Sequence, residues 1–247
     1  MIITWQQNGR FGNNMFQYCL AHVIADDYNL EVKTCPNFSE EETHYSGFYD
    51  EFFYLDEKHK ENISNFKYLT DDTIVDFLKN NKSIKNNIRL EGYFQNTELF
   101  TGKDVTKYFN ITDGKMIHTD DNDICLNLRI GTDYQSINWV ISPHIFKALL
   151  DKIEFNRLHI ISDTPNYEYL EFFKEYDPII YNNFSSNPVD DFYKLMSFKT
   201  IIIPNSTFSY WAAVLGKSTK IYAPEVWSFN DLNYILTKKD QTTFYNI

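Results

Sequence analysis

Four segments of this chain combine glycine, arginine, hydroxyl and carboxylate groups in patterns suited to holding an anion. The first is Gly9-Arg10-Phe11-Gly12-Asn13-Asn14, which lies between an apolar run and a stretch of helical periodicity. Glycines let the backbone approach a ligand, and a helix start offers its N–H groups to negative charge. Arg10 adds a fixed cation. A plain strand-to-helix turn capped by Asn13 explains the same residues, and spacing alone favours it, because neither a full G-x-G-x-x-G nor a phosphate-loop pattern is present.

The second segment is Asn127-Leu128-Arg129-Ile130-Gly131-Thr132-Asp133-Tyr134. An arginine at the end of a central strand lies where open α/β sheets bind ligands, and its planar fork can hold a diphosphate by two hydrogen bonds. A structural ion pair between Arg129 and Asp133, or another carboxylate, is the equal alternative. In the third segment, Pro204-Asn205-Ser206-Thr207-Phe208-Ser209-Tyr210-Trp211, two adjacent hydroxyls at a helix start can meet phosphate oxygens. Simple capping by Ser206 or Thr207 is the better reading of the pattern. The fourth is Ser162-Asp163, after another apolar run. Its carboxylate can accept from a ribose hydroxyl or a base N–H, or cap a helix. The triplet Asp121-Asn122-Asp123 has the D-x-D form that holds a metal and a diphosphate elsewhere, but its acidic surroundings suit a solvated loop. His118, His144 and His159 have no partners at metal-ligand spacing. There is no G-x-S-x-G elbow or other nucleophile signature.

The elements that must position these groups are legible in part. Residues 2–5 read as a first strand, followed by a loop over residues 6–13 and a helix carrying Met15, Phe16, Cys19, Leu20, Val23 and Ile24. Residues 29–75 are aromatic, acidic and irregular. Residues 88–94 predict a strand, and the polar stretch 112–123 predicts a domain boundary. Beyond it, strands over 124–129, 158–162, 199–203 and 220–224 alternate with helical patterns over 143–152, after 165, over 190–197 and over 208–215, the last closed by Gly216. Such alternation predicts a parallel α/β sheet.

Composition narrows the partners. The 247 residues carry a formal net charge of -11, which argues against a nucleic-acid partner, since counterion release requires clustered Lys and Arg. The four arginines are Arg10, Arg89, Arg129 and Arg157, so two of them fall inside the segments above. Aromatic residues make up 17%, which suits sugar stacking but is explained first by a packed core. Cys19, Cys35 and Cys125 are widely spaced without a C-x-x-C pair, which fits buried thiols in a reducing compartment. No signal-like N-terminus or long apolar run is present, so the expectation is a cytoplasmic protein without an integral membrane segment.

Taken together, the segments resemble the α-1,2-fucosyltransferase family along nearly the whole chain. Gly9 through Tyr18 resembles its N-terminal glycine motif with a G-N-x-M-F-Q core. Gly92-Tyr93-Phe94-Gln95 resembles its G-Y-F/W-Q segment, and Ser162-Asp163 its S-D motif. Asp191 through Met196, with Asn205 through Ala213, resembles its closing N-S-S-F-S-W-W-A-A block. The arginine motif departs from H-x-R-R-G-D-Y: Asn127 stands for the histidine, Ile130 for the second arginine, and Thr132 precedes Asp133. Leu128 through Asp133 is closer to the L-R-I-G-S-D of protein O-fucosyltransferases.

The resemblance implies a GT-B-type α/β architecture of two Rossmann-like domains with parallel sheets facing a cleft. These are an acceptor-side domain over 1–118 and a GDP-sugar-binding domain over 119–247. It implies inverting, metal-independent transfer of fucose from GDP-β-L-fucose to a glycan acceptor, with no cofactor and with the D-x-D triplet incidental. Arg129 carries over as the catalytic contact to the diphosphate. Gly9, Arg10, Gly12, Asn13, Asn127, Asp133, Asp163, Ser206, Thr207 and Phe208 carry over as substrate-binding positions, with Asp163 toward the nucleotide. Asp133 and Glu91 are possible general bases. A transferase with another nucleotide-sugar donor, and a non-catalytic carbohydrate-binding relative, are the competing readings.

Overall fold

A computed structural model describes residues 1–34, 48–54, 65–181, 188–225 and 242–246. The chain divides into two compact units, Met1–Ile111 and Thr112–Ile247.

The first unit is built on four parallel strands: β1 (Ile2–Trp5), β2 (Glu31–Val32), β3 (Phe66–Leu69) and β4 (Asn87–Leu90), in the order β2-β1-β4-β3. Helix α1 (Phe11–Tyr28) follows β1 and is buried nearly all round, so its apolar residues need not follow one stripe. It ends where Asn29 turns left-handed at φ 53 and donates its N–H to the Ala25 carbonyl. Helices α2 (Phe48–Phe52) and α3 (Asp71–Asn80) complete the unit. The irregular stretch 29–75 thus contains β2, α2, β3 and the start of α3, each too short for periodicity to reveal. Residues 35–47 and 55–64, with Cys35 among them, lie outside the described residues.

Aromatic rings fill this core. Tyr18 stacks on Phe53 with centroids 4.1 Å apart, and Phe11 packs against both Phe52 and Phe53. Packing, rather than display to a sugar, accounts for these rings. Strand β4 stops at Leu90, short of the sequence expectation. The Asp71 carboxylate accepts the N–H groups of Tyr93 (2.9 Å) and Phe94 (2.6 Å), and Phe94 turns to φ 52, drawing the chain out of the sheet.

The second unit has six parallel strands: β5 (Ile124–Leu128), β6 (Leu158–Ser162), β7 (Ile179–Tyr181), β8 (Thr200–Ile202), β9 (Lys220–Pro224) and β10 (Thr242–Tyr245). Their order is β10-β9-β8-β5-β6-β7. Every residue of β5 and β6 is buried, as expected of strands at the centre of a parallel sheet. Helices α4 (Thr132–Ser136), α5 (Pro143–Leu150), α6 (Tyr167–Glu171), α7 (Pro188–Met196) and α8 (Thr207–Leu215) connect them. The alternation expected from sequence is therefore present, as a mixed α/β chain with parallel sheets. Among the described residues no helix is long and apolar enough to cross a membrane. Cys19 and Cys125 are buried free thiols whose pKa values burial pushes well up.

Gly216 does close α8, but at φ -84 rather than in the left-handed region. Its role is steric: a Cβ there would stand 2.6 Å from the Ala212 carbonyl oxygen and from the Met196 Cα and carbonyl oxygen. All three are backbone atoms, so nothing can swing aside. Gly216→Ala should cost about 1–3 kcal/mol by overpacking the α7–α8 contact, seen as a lower denaturant midpoint at unchanged m-value.

Candidate functional site

In the second unit the chain runs outward from β5 through β6 to β7, then returns to lay β8 on the other side of β5. The crevice at the carboxyl ends of two strands that diverge this way is where open α/β sheets bind ligands. Arg129 follows β5 directly, Asp163 follows β6, and Asn205 and Ser206 follow β8, so the topology brings three separate sequence segments to one edge.

Arg129 is held by two carboxylates. Its Nη1 donates to Asp163 at 2.5 Å and its Nη2 to Asp133 at 2.6 Å. Asp163 also accepts the backbone N–H groups of Ile130 (2.8 Å) and Gly131 (3.2 Å). One carboxylate thus binds the arginine and the turn that follows it. Gly131 is required by close approach, because a Cβ there would meet Asp163 at 2.8 Å and Asp133 at 2.9 Å. The ion pair and the ligand-site position, alternatives in the sequence, coexist here. The guanidinium carbon lies 4.9 Å from the centre of the Tyr134 ring, and the Tyr134 hydroxyl donates to the Asn205 carbonyl at 3.0 Å. Burial raises the Tyr134 pKa against the opposing pull of Arg129, so the hydroxyl stays a donor at neutral pH.

The capping alternatives fare differently. Ser206 occupies the N-cap position of α8 without a side-chain cap bond, and Thr207 begins the helix. Phe208 packs edge-on against Phe192 of α7, with centroids 5.0 Å apart. Asp163 caps nothing: the cap of α6 is Asn166, which accepts from the Tyr169 N–H. Asn127 is 6% exposed and bonded at both ends of its amide. It donates to the Ile161 carbonyl at 2.9 Å and accepts from the Ser209 hydroxyl, tying β5 to β6 and α8. Sequence reasoning passed over Asn205 as a site residue. It is 6% exposed, and its carboxamide oxygen has no hydrogen-bond partner among the described residues. Its position between a strand breaker and two hydroxyls was the available clue.

In the first unit β1 and β4 are neighbours, and the glycine loop after β1 and the Gly92–Gln95 segment after β4 meet at their carboxyl ends. Gly9 turns at φ 71, Arg10 takes the N-cap position of α1, and Phe11, Gly12 and Asn13 already belong to the helix, which begins earlier than expected. Asn13 is therefore not a cap; its side-chain oxygen accepts from Gln95 Nε2 at 3.0 Å. Asn14 and Gln17, both fully buried, hold the loop. Asn14 Nδ2 donates to the carbonyls of Gly9 (3.0 Å) and Arg10 (3.1 Å), while Gln17 brackets Asn8 through its N–H and carbonyl.

The acidic triplet is a solvated turn at Asp121 and Asn122, as expected, where Asp121 lies 2.6 Å from Lys199. Asp123 departs from that reading: it is 6% exposed and faces His159 Nε2 at 3.2 Å. His159 Nδ1 meets the Tyr181 hydroxyl at 3.0 Å. Asp123 precedes β5, at the opposite end of that strand from Arg129. Among the described residues no group of three His, Cys, Asp or Glu side chains is placed to hold a metal ion.

No protein-family model matches this chain, and no curated protein matches it. Solved structures do. The selenomethionyl fucosyltransferase NodZ from Bradyrhizobium is 11% identical with a TM-score of 0.57, over 89% of this chain and 93% of that one. NodZ α-1,6-fucosyltransferase soaked with GDP-fucose is 12% identical with a TM-score of 0.55, over 91% and 95%. A variant of Arabidopsis thaliana FUT1 in complex with GDP is 14% identical with a TM-score of 0.54, over 93% and 72%. The chain shares the fold of these fucosyltransferases.

Two outcomes follow from this geometry. Gly131→Ala should displace Asp163 or Asp133 and unseat Arg129, so the thermal unfolding midpoint should fall while the far-ultraviolet circular dichroism stays native. The second concerns His159, whose pKa burial lowers although its bond to Asp123 opposes the shift. Below roughly pH 6.5 the unfolded chain takes up this proton more readily than the folded one. Stability should therefore fall as pH drops from that value toward the lowered one. The slope of unfolding free energy against pH over that window should be shallower in His159→Gln than in the unaltered protein.

Proposed function

We propose that this protein transfers L-fucose from GDP-β-L-fucose to a carbohydrate acceptor with inversion and without a metal. The observation that carries the reading is the Arg129 fork at the winding reversal of a sheet whose fold is that of fucosyltransferases. The motif resemblance favours an α-1,2 linkage and a GT-B division of labour, with the GDP-sugar on the second unit and the glycan on the first.

In this mechanism, cleavage between fucose C1 and the diphosphate leaves an oxocarbenium-like sugar and gives the departing GDP an added negative charge. Donors fixed in advance must meet that charge. Arg129 supplies two N–H groups, and the start of α8 around Ser206 and Thr207 adds backbone and hydroxyl donors. The acceptor hydroxyl attacks C1 from the opposite face and passes its proton to a base, for which Asp133 and Glu91 are the candidates. Glu91 lies 3.4 Å from Arg89 Nε.

The deciding experiment is thermal shift with GDP, UDP, CDP and ADP, with and without EDTA, on the unaltered protein and Arg129→Ala. A GDP-selective rise that survives EDTA and disappears in the variant supports the proposal. A metal-dependent response to UDP replaces the donor, and no nucleotide response at all supports a non-catalytic carbohydrate-binding relative. Turnover of GDP-fucose by folded Arg129→Ala should be lower by roughly 10²–10³, the usual cost of one lost charge-stabilising donor.

A further inference from the structure

The first unit contains a second candidate site, at the opposite end of its sheet from the glycine loop. A concavity of about 380 Å³ opens beside the N-terminal ends of β3 and β4, lined by Lys67, Lys82, Lys85, Phe77, Asn80 and Ser83 among others. This volume is within the range of small-molecule pockets.

Its charge is anomalous for this chain. With 34 acidic and 23 basic residues, the chain has no Asp or Glu between Asp76 and Glu91, while Lys79, Lys82, Lys85 and Arg89 all fall there. Several lysines elsewhere stand against carboxylates, among them Lys103 with Asp27, Lys107 with Asp26, Lys194 with Asp191 and Lys199 with Asp121, while Lys220 lies over the Tyr222 ring. Among the described residues, Lys67, Lys82 and Lys85 have no ion-pair partner. Lys67 instead rests over the Phe77 ring at 4.3 Å. Like charges brought together without counter-charges repel one another, and an anion between them relieves that repulsion.

Helix-end electrostatics do not explain the cluster. A cation in the last turn of α3 complements the helix dipole, and Lys79 fills that place. The Phe77 carbonyl is met by Asn81 Nδ2 at 2.7 Å. Lys67 comes from strand β3 and Lys85 lies beyond the helix, so the tertiary fold brings them together. The remaining lining is suited to a hydroxylated ring: the Asn80 amide and Ser83 hydroxyl exchange hydrogen bonds with alcohols, and Phe77 offers an apolar surface.

We propose that this pocket binds a small acidic sugar, a hydroxylated ring carrying a phosphate, sulfate or carboxylate group. The site is independent of Arg129 and of any turnover of GDP-fucose. Glucose 6-phosphate is a suitable probe, titrated calorimetrically into the full chain at low ionic strength beside glucose and inorganic phosphate. Glucose 6-phosphate should bind more tightly than either comparison ligand. The combined variant Lys67→Gln, Lys82→Gln, Lys85→Gln should weaken that binding by about tenfold or more, with its melting temperature unchanged because all three side chains are exposed. Arg129→Ala should bind the probe like the unaltered protein. The proposal is overturned if the unaltered protein binds no glucose 6-phosphate, or if the lysine variant binds it equally well. It is also overturned if inorganic phosphate binds as tightly as the sugar phosphate, or if Arg129→Ala abolishes binding.

Discussion

One carboxylate organises the second unit's ligand edge. Asp163 leaves the end of β6 and accepts from three donors of the neighbouring β5 segment: the Arg129 guanidinium and the N–H groups of Ile130 and Gly131. Hydrogen bonds to charged groups contribute about 1.5–3 kcal/mol each, more than neutral ones. The chain after β5 is therefore fixed to the chain after β6 at the level where the sheet ends. That bond set dictates where Gly131 must lack a Cβ and where Arg129 can point. The short helix α4 starts immediately after it, carrying Asp133 to the other side of the guanidinium. The same segment places Tyr134 to join β5's edge to that of β8 through Asn205.

The first unit solves a parallel problem mainly with neutral amides, helped by one carboxylate, Asp71. Its glycine loop is held by the buried amides of Asn14 and Gln17, and the segment after β4 is drawn back by Asp71 and joined to α1 through Gln95 and Asn13. Amides supply both donors and acceptors, so they can satisfy a loop's backbone without adding charge to a buried place. The two units thus stabilise the carboxyl edges of their parallel sheets by different chemistry.

Much of this was legible in the sequence, and the failures are specific. Strands β1, β6 and β9 were read at their actual bounds, and β5 and β8 within one residue at each end, because apolar runs between helical patterns leave few alternatives. The stretch 29–75 resisted because β2 has two residues and α2 five, too few for either period to show. The segment over 91–94 looked like strand because its aromatic residues continue the apolar run of β4; Tyr93 is exposed, and Phe94 is buried through a turn, not by pairing. Motif letters do not name partners within the chain. The local patterns offered caps at Asn13 and Ser206 and a cap or nucleotide contact at Asp163, and the resemblance offered substrate contacts at these three and at Asn127. Their bonds are long-range: Asn13 reaches Gln95, Asp163 the residues after β5, and Asn127 both Ile161 and Ser209. No local pattern encodes a partner 34 or 82 residues away.

The electrostatics of the Arg129 edge constrain what can bind there. Two carboxylates surround one guanidinium, so the cluster is not a simple positive trap for a diphosphate. Asp163, with its charge met by two backbone N–H groups as well as by Arg129, projects less field outward than an unsolvated carboxylate would. Asp133 is more open to water, with a side chain 37% exposed against 18% for Asp163, so solvent screens it. An anion at this edge consequently gains less from net charge than from directed donors: the guanidinium fork, the Tyr134-buttressed turn, the Asn205 amide and the start of α8. Such donors are selective for geometry, and under the proposed transfer they would favour charge developing at one leaving oxygen over the charge already present on the substrate. An overall charge of -11 is compatible with an anionic donor for the same reason, since the recognition is local and directional.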